Sequence, residues 1–168
     1  CAAPKILLLF RVTWYAFNGG VKLSIEKVRK YFAARGMEDQ ILEFDVSSAT
    51  VELAAKALNC DGCLIAKTLS FLVHDDVILI DNHKYKMHFG VKAKMLPAAE
   101  AEQLIGHAVG GVCPFAVNEG VKVFLDESLK RFEFVYPACG SSNSAIKLTI
   151  PELEKNTDHF SGWVDVCK

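Results

Sequence analysis

The sequence has no excess of charge of either sign. Over 168 residues, 19 Lys and Arg stand against 20 Asp and Glu, a formal net charge of −1. That excludes a broadly basic nucleic-acid binder and leaves any RNA contact to a local patch. No apolar run reaches the roughly 18 residues that a membrane span needs. The sequence contains no internal repeat and no low-complexity linker that would split the chain into domains. Metal-ligand spacing is also missing. His74, His83, His88, His107 and His159 are scattered, and the single CxxC, Cys60-Asp61-Gly62-Cys63, has no second pair to complete a zinc site. No metal or cofactor is expected. There is no Ser-His-Asp arrangement to mark a nucleophile.

What is present describes one domain with a substantial core. Apolar residues make up 51% and charged residues 23%, and mean hydropathy is +0.21, which excludes global disorder. Cysteines at 1, 60, 63, 113, 139 and 167 are too dispersed, in too large and apolar a chain, to be disulfide staples. They read as reduced thiols of a cytosolic protein. Cys60 and Cys63 follow a helix pattern and lead into a strand, which is not the strand–CxxC–helix order of a redox site. At the N-terminus, Ile6 to Phe10 follow Lys5 like a short signal sequence, but Arg11 interrupts the run and no small-x-small site follows. Residues 1–23 are expected to be an N-terminal extension outside the folded unit, with Leu23 where a starting Met would stand, and residues 24–168 to be the domain.

Periodicity and punctuation give the elements. Ser24 can cap a helix reaching Arg35, with Ile25, Val28 and Phe32 on one face and Gly36 as its stop. Ile41 to Val46 reads as a strand, and Thr50 caps a second helix that buries Val51, Ala54, Ala55 and Leu58. Cys63 to Val73 is a long β-prone run, with Val77 to Ile80 returning as its hairpin partner after Asp75-Asp76. A short helix over Ala98–Ile105 follows Pro97. A glycine-rich loop, Gly106 to Pro114, comes next. Val121–Leu125, Phe132–Tyr136 and Ala145–Thr149 read as strands, and Pro151 opens a final helix. Strands and helices mix without strict βαβ alternation, which predicts an α+β single domain with a mixed or antiparallel sheet flanked by helices.

Four segments, in order, resemble the YbaK and prolyl-tRNA-synthetase-associated editing-domain family. They are Ala54-Ala55-Lys56-Ala57-Leu58 with Ile65-Ala66-Lys67-Thr68-Leu69; Gly106-His107 with Gly110-Gly111-Val112-Cys113-Pro114-Phe115; Val123-Phe124-Leu125-Asp126-Glu127-Ser128-Leu129; and Val135-Tyr136-Pro137-Ala138-Cys139-Gly140-Ser141. Each is weak alone, and their order and spacing carry the resemblance from about Ser24 to the C-terminus. The resemblance implies a curved central sheet and a trans-editing aminoacyl-tRNA deacylase, with the tRNA acceptor end, and an aminoacyl-tRNA synthetase, as partners. The competing class is a non-catalytic tRNA- or synthetase-binding module of the same fold. Members specific for cysteinyl-tRNA carry a Gly-Lys-Arg-Gly-type stretch and an acidic residue near the position of Ala145. This chain has Gly140-Ser141-Ser142-Asn143 and Ala145 instead, so the resemblance does not extend to cysteinyl specificity.

Lys67 is the first candidate. Within Leu64-Ile65-Ala66-Lys67-Thr68-Leu69, alternation puts Lys67 and Leu69 on one face and Ala66 and Thr68 on the other. A lysine in a half-buried strand calls for an anion, or it snorkels at a strand edge. The resemblance matches it to the family's active-site lysine, which would hold the terminal phosphate region. Backbone amides at Gly110 and Gly111 can form an oxyanion site, with Pro114 fixing the turn and Phe115 as a wall. Thr68, Gly140, Ser141 and Ser142 are candidate substrate contacts, the last three reading equally well as a polar hairpin turn. His107 is a candidate pocket residue, either a general base or a loop histidine. Lys84, Lys86, Lys92 and Lys94 form an acid-free segment with Tyr85 and Phe89 interleaved. That segment either grips tRNA phosphates or is a solvated face.

Overall fold

Capping chemistry bounds two of the helices that the sequence predicts, whereas the helix over Asn82–Phe89 is one that the sequence reading did not place. The computed structural model describes residues 5–10, 24–72, 82–90, 94–108 and 110–166. The elements in chain order are β1 (Lys5–Phe10), α1 (Ser24–Ala33), β2 (Ile41–Glu43), α2 (Val51–Leu58), β3 (Ile65–Leu72), α3 (Asn82–Phe89), β4 (Lys94–Met95), α4 (Ala98–Ile105), β5 (Val121–Asp126), β6 (Phe134–Pro137), β7 (Ser144–Ile146), β8 (Leu148–Thr149), α5 (Ile150–Asn156) and β9 (Phe160–Val164). Thr50 caps α2 by accepting the Leu53 N–H, and Asn59 closes that helix in the left-handed conformation. Thr149 and Glu152 form a reciprocal capping box on α5. α1 buries Val28 and Phe32, as its spacing predicts.

The strands build an α+β fold around a mixed sheet. Among the described residues the main sheet has seven strands in the order β8-β6-β3-β1-β5-β9, with β4 also on β3, and β2 and β7 form a separate pair. β1 runs parallel to β3 and antiparallel to β5, while β9 runs parallel to β5. Helices and sheet close over one main cluster that includes Ile6, Phe32, Phe115, Leu125, Leu129 and Ile146.

Several expectations need correction. Lys5–Phe10 do not lie outside the domain: they are an interior strand, and Ile6 is fully buried. The run Ile6 to Phe10 is β-prone and apolar, and a slot between two strands satisfies both properties. β2 stops at Glu43 because the chain then leaves the ladder. The Phe44 N–H goes to the Asn143 carbonyl and the Ser48 N–H to the Ser142 carbonyl. The run over 145–149 is two strands, β7 and β8, pairing with β2 and β6 respectively. β9 was not expected from the sequence. The hairpin partner at Val77–Ile80 lies outside the described residues.

One feature of the sheet positions the site. β3 pairs with β1 along one edge, from Lys67 to Leu72. Its other edge is shared: β6 takes Ile65 and Ala66, and β4 takes Phe71 and Leu72. Between them the sheet forks, and on that edge the middle of β3 has no strand beside it among the described residues.

Candidate functional site

A cavity of about 340 Å³ opens at this fork. Ile65 to Ser70 of β3 form its floor, Met95 and Leu96 one side, and Tyr136 and Ala138 the other. The Ser48–Val51 segment, Gly110 and Val112, and Ser144 and Ala145 complete the wall. Because the cavity sits on a strand edge, residues from both faces of β3 reach it, Lys67 and Thr68 alike. Lys67 is the one charged side chain among the described lining residues. Its Nζ donates to the Ala49 carbonyl at 3.2 Å, which ties the cation to the start of α2. Glu52, in the first turn of α2, feels the Lys67 charge. Its carboxyl is held below the usual range by hydrogen bonds at the helix start, with Lys67 contributing further.

Three segments meet at the mouth. Ser142 offers its carbonyl to the Ser48 N–H at 2.6 Å and to the Ser48 hydroxyl at 3.1 Å. Gly110, at φ +92, lies where a Cβ would be 3.1 Å from the Ser142 Cβ and 3.5 Å from the Ala49 Cβ. Only glycine takes this conformation without strain. No described residue accepts the Gly110 N–H.

The expected site residues divide into two groups. Lys67, Thr68 and Gly110 line the cavity; the Thr68 hydroxyl is buried without a partner among the described residues. Gly111, Pro114, Phe115, Gly140, Ser141, Ser142 and His107 do not. Gly111 is buried against the Gly140–Ser141 peptide, where a Cβ would meet backbone at 2.5 Å, and its N–H is committed to the Ala108 carbonyl at 3.0 Å. It permits a close approach of two loops and has no amide to spare for an oxyanion. Phe115 is a core residue, edge-on to Phe32 with centroids 4.8 Å apart. Pro114 is buried beside it, and its carbonyl accepts the Asp158 N–H. The Gly140 carbonyl accepts from the Ser24 hydroxyl at the start of α1. Ser141 bonds to Asn143 and Ser144, and so shapes the turn behind the cavity wall, while Ser142 packs against Gly110 from outside.

His107 is fully buried. Its Nε2 donates to the Phe115 carbonyl at 2.7 Å, with the Cys113 Sγ 3.7 Å away. Burial first, then the Lys27 charge, pushes its pKa down to about 4, so at neutral pH it is an uncharged structural donor. Burial likewise pushes the Cys113 thiol up to about 12 and Cys139 well up, which makes both poor nucleophiles. Cys60 and Cys63 are free thiols, both with raised pKa, Cys60 by burial and Cys63 by its hydrogen bond with Asp61. Among the described residues no group of three or more His, Cys, Asp or Glu could hold a metal ion.

The basic segment is not part of the cavity. Lys84 and Lys86 lie exposed on α3, and Lys84 pairs with Asp165 at 2.7 Å. Lys94 lies on β4, in register with Leu72. Lys92 lies outside the described residues. Tyr85 and Phe89, read as interleaved aromatics, instead pack inward with Phe71 and Phe124. Sequence reasoning did not name Ser48, Met95 or Tyr136 as site residues, and marked Ala145 only as the position where cysteinyl-specific members carry an acid. They come from four separate segments, which only the fork brings together.

The model of the aminoacyl-tRNA editing domain matches residues 46–156, a span that contains the whole cavity lining. The uncharacterized protein YwhH of Bacillus subtilis (strain 168) is 45% identical over 156 residues, covering 87% of this chain and 98% of its own length. A solved structure described as a proposed trans-editing enzyme for prolyl tRNA synthetase superposes with a TM-score of 0.74 at 25% identity, covering 89% of this chain and 99% of that one. The hypothetical protein APE2540 does so with a TM-score of 0.71, also at 25% identity, over 84% and 99%. With a cavity built from the matched segment and relatives aligned over nearly their full lengths, this chain belongs to the aminoacyl-tRNA editing domain family.

Proposed function

We propose that the protein is a trans-editing deacylase that hydrolyses the ester between a mischarged amino acid and the 3′-terminal adenosine of tRNA. It would act in the cytosol, where the four described free thiols fit a reducing environment. The observation that carries the proposal is a cation, Lys67, in a cavity of amino-acid size whose other described lining residues are uncharged. An ammonium group in such surroundings is matched to one anion, and the tRNA end supplies it as phosphate. An aminoacyl ester is already activated, so positioning and oxyanion stabilisation suffice for hydrolysis. Lys67 holds the phosphate–ribose end. The Gly110 N–H polarises the ester carbonyl, and water attacks with help from a ribose hydroxyl of the tRNA. No side chain of the cavity is assigned as general base, and His107, buried elsewhere, is not one.

The test is deacylation of a panel of mischarged tRNAs under single-turnover conditions. Accelerated ester loss from one or a few members, above buffer hydrolysis, is the expected result. Tight tRNA binding with no acceleration on any member would replace the proposal with a binding module.

A further inference from the structure

The fork leaves the backbone N–H and C=O of Thr68 without a partner among the described residues. The Ser70 carbonyl accepts the Leu96 N–H at 2.9 Å, so Ser70 faces the forked edge. Along a strand, successive residues direct their N–H and C=O to opposite edges. Ala66, Thr68 and Ser70 therefore face the fork, while Lys67 and Leu69 face β1. Ala66 is in register with Pro137 of β6. Thr68 is in register with no residue on that side, and its N–H and C=O have no partner among the described residues. Thr68 lines the cavity and is half-buried, so its unpaired edge is open to a ligand that can supply the missing hydrogen bonds.

We propose that Thr68 binds the aminoacyl group through its backbone, as one residue of an antiparallel strand binds the residue opposite. The substrate's α-ammonium donates to the Thr68 carbonyl, and the Thr68 N–H donates to the ester carbonyl. Two groups exchanging both bonds is the hydrogen-bonded pair of an antiparallel ladder, and the peptide geometry of Thr68 presets its spacing. The reading rests on the proposed function and sharpens it in two ways. No described lining residue carries a carboxylate and the Ala49 carbonyl already accepts from Lys67, so the ammonium is held by neutral acceptors, of which the Thr68 carbonyl lies on the open strand edge beside the Thr68 N–H. The gap is also closed at both ends, by β6 at Ala66 and by Leu96 at Ser70. It admits one amino acid and no preceding residue. The substrate class is therefore esters of single amino acids with a free α-amino group, and N-acylated or peptidyl esters are excluded.

The first experiment uses a hydrolysis-resistant probe, 3′-alanylamino-3′-deoxyadenosine, with the full chain labelled for NMR. The Thr68 amide proton is expected to move downfield on titration, whereas the N-acetylated probe should bind at least about tenfold more weakly, as for loss of a charge-assisted bond. In the second, alanyl, N-acetylalanyl and lactyl esters of tRNA are compared. The latter two are expected to lose at least about tenfold in kcat/KM. In the third, Thr68→Val serves as the reference, and its amide N–H is replaced by an ester oxygen through incorporation of 2-hydroxyisovalerate. A loss of about tenfold or more in kcat is expected. Equal binding of acetylated and free probes, an unmoved Thr68 amide in the bound state, or no effect of the amide-to-ester change would each overturn the proposal. If the parent hydrolyses no ester, the deacylase reading fails, while the probe titration still decides whether Thr68 docks an aminoacyl group.

Discussion

At the residue scale, the two groups singled out earliest have opposite roles. Lys67 was legible because a lysine inside an apolar strand is conspicuous, and the structure places it in the cavity. His107 was conspicuous for its titration range, and the structure buries it as a neutral donor. The difference is solvent and partners, which the sequence does not display. Lys67→Ala is expected to lower the deacylation rate by at least about tenfold, from loss of a charge-assisted contact worth roughly 1.5–3 kcal/mol. Because Lys67 also ties down Ala49, the variant's thermal transition should be measured beside its rate; a folded variant with an unchanged rate would remove Lys67 from the mechanism. His107 predicts a pH dependence of stability. Its folded pKa of about 4 lies below the ordinary value, so the unfolded chain takes up the proton first as pH falls. The neutral imidazole's contribution is complete above roughly pH 6.5 and is lost towards pH 4, by up to about 3 kcal/mol. His107→Gln, which can keep a donor for the Phe115 carbonyl without titrating, should flatten that acid limb in denaturant melts. Parallel limbs in the two proteins would refute the assignment.

At the element scale, the sequence predicts best where a signal is local. Thr50 and Asn59 bound α2, and Thr149 with Glu152 bounds α5, because caps act within one turn. Strand ends were less legible, since pairing depends on distant segments. β2 is short because Asn143 and Ser142, about a hundred residues on, capture the chain. β9 escaped notice because Gly162 interrupts its alternation and its partner β5 lies far away in sequence. The cavity was half legible for the same reason: Lys67, Thr68 and Gly110 sit in readable motifs, whereas Ser48 and Met95 join them only through the fork. The basic segment now divides by environment. Lys84 is engaged with Asp165, whereas Lys86 is exposed and pairs with no acid among the described residues. If α3 contacts tRNA, Lys86→Ala should weaken binding and lower the salt slope by about 1, and Lys84→Ala should lower it less. Slopes of log K against log salt check this; an unchanged slope in both would make α3 a solvated face.

At the scale of the whole molecule, the family match and the sheet do not share boundaries. The match spans 46–156 and contains the cavity, but β1 and β9 lie outside it. β1 is in register with β3 from Lys67 to Leu72 and with β5 from Val121 to Leu125. It therefore backs the strand that carries Lys67 and Thr68 and joins the two halves of the main sheet. The sequence did not show this because a short apolar run beside Arg11 looks the same whether it is discarded or buried; only the open slot between β3 and β5 decides. A chain beginning at Ser24 would lose buried Ile6 and leave two long strand edges unpaired, which costs stability and invites association through those edges. Loss of several kcal/mol in a domain of this size lowers Tm by about 10 °C or more. The truncated chain is accordingly expected to melt that much earlier, and to deacylate more slowly because β3 has lost its backing strand. Calorimetry and single-turnover rates on both chains measure the two effects. If the shorter chain matched the longer in Tm and in rate, β1 would be dispensable, and the strand carrying Lys67 would have to draw its support from the rest of the fold.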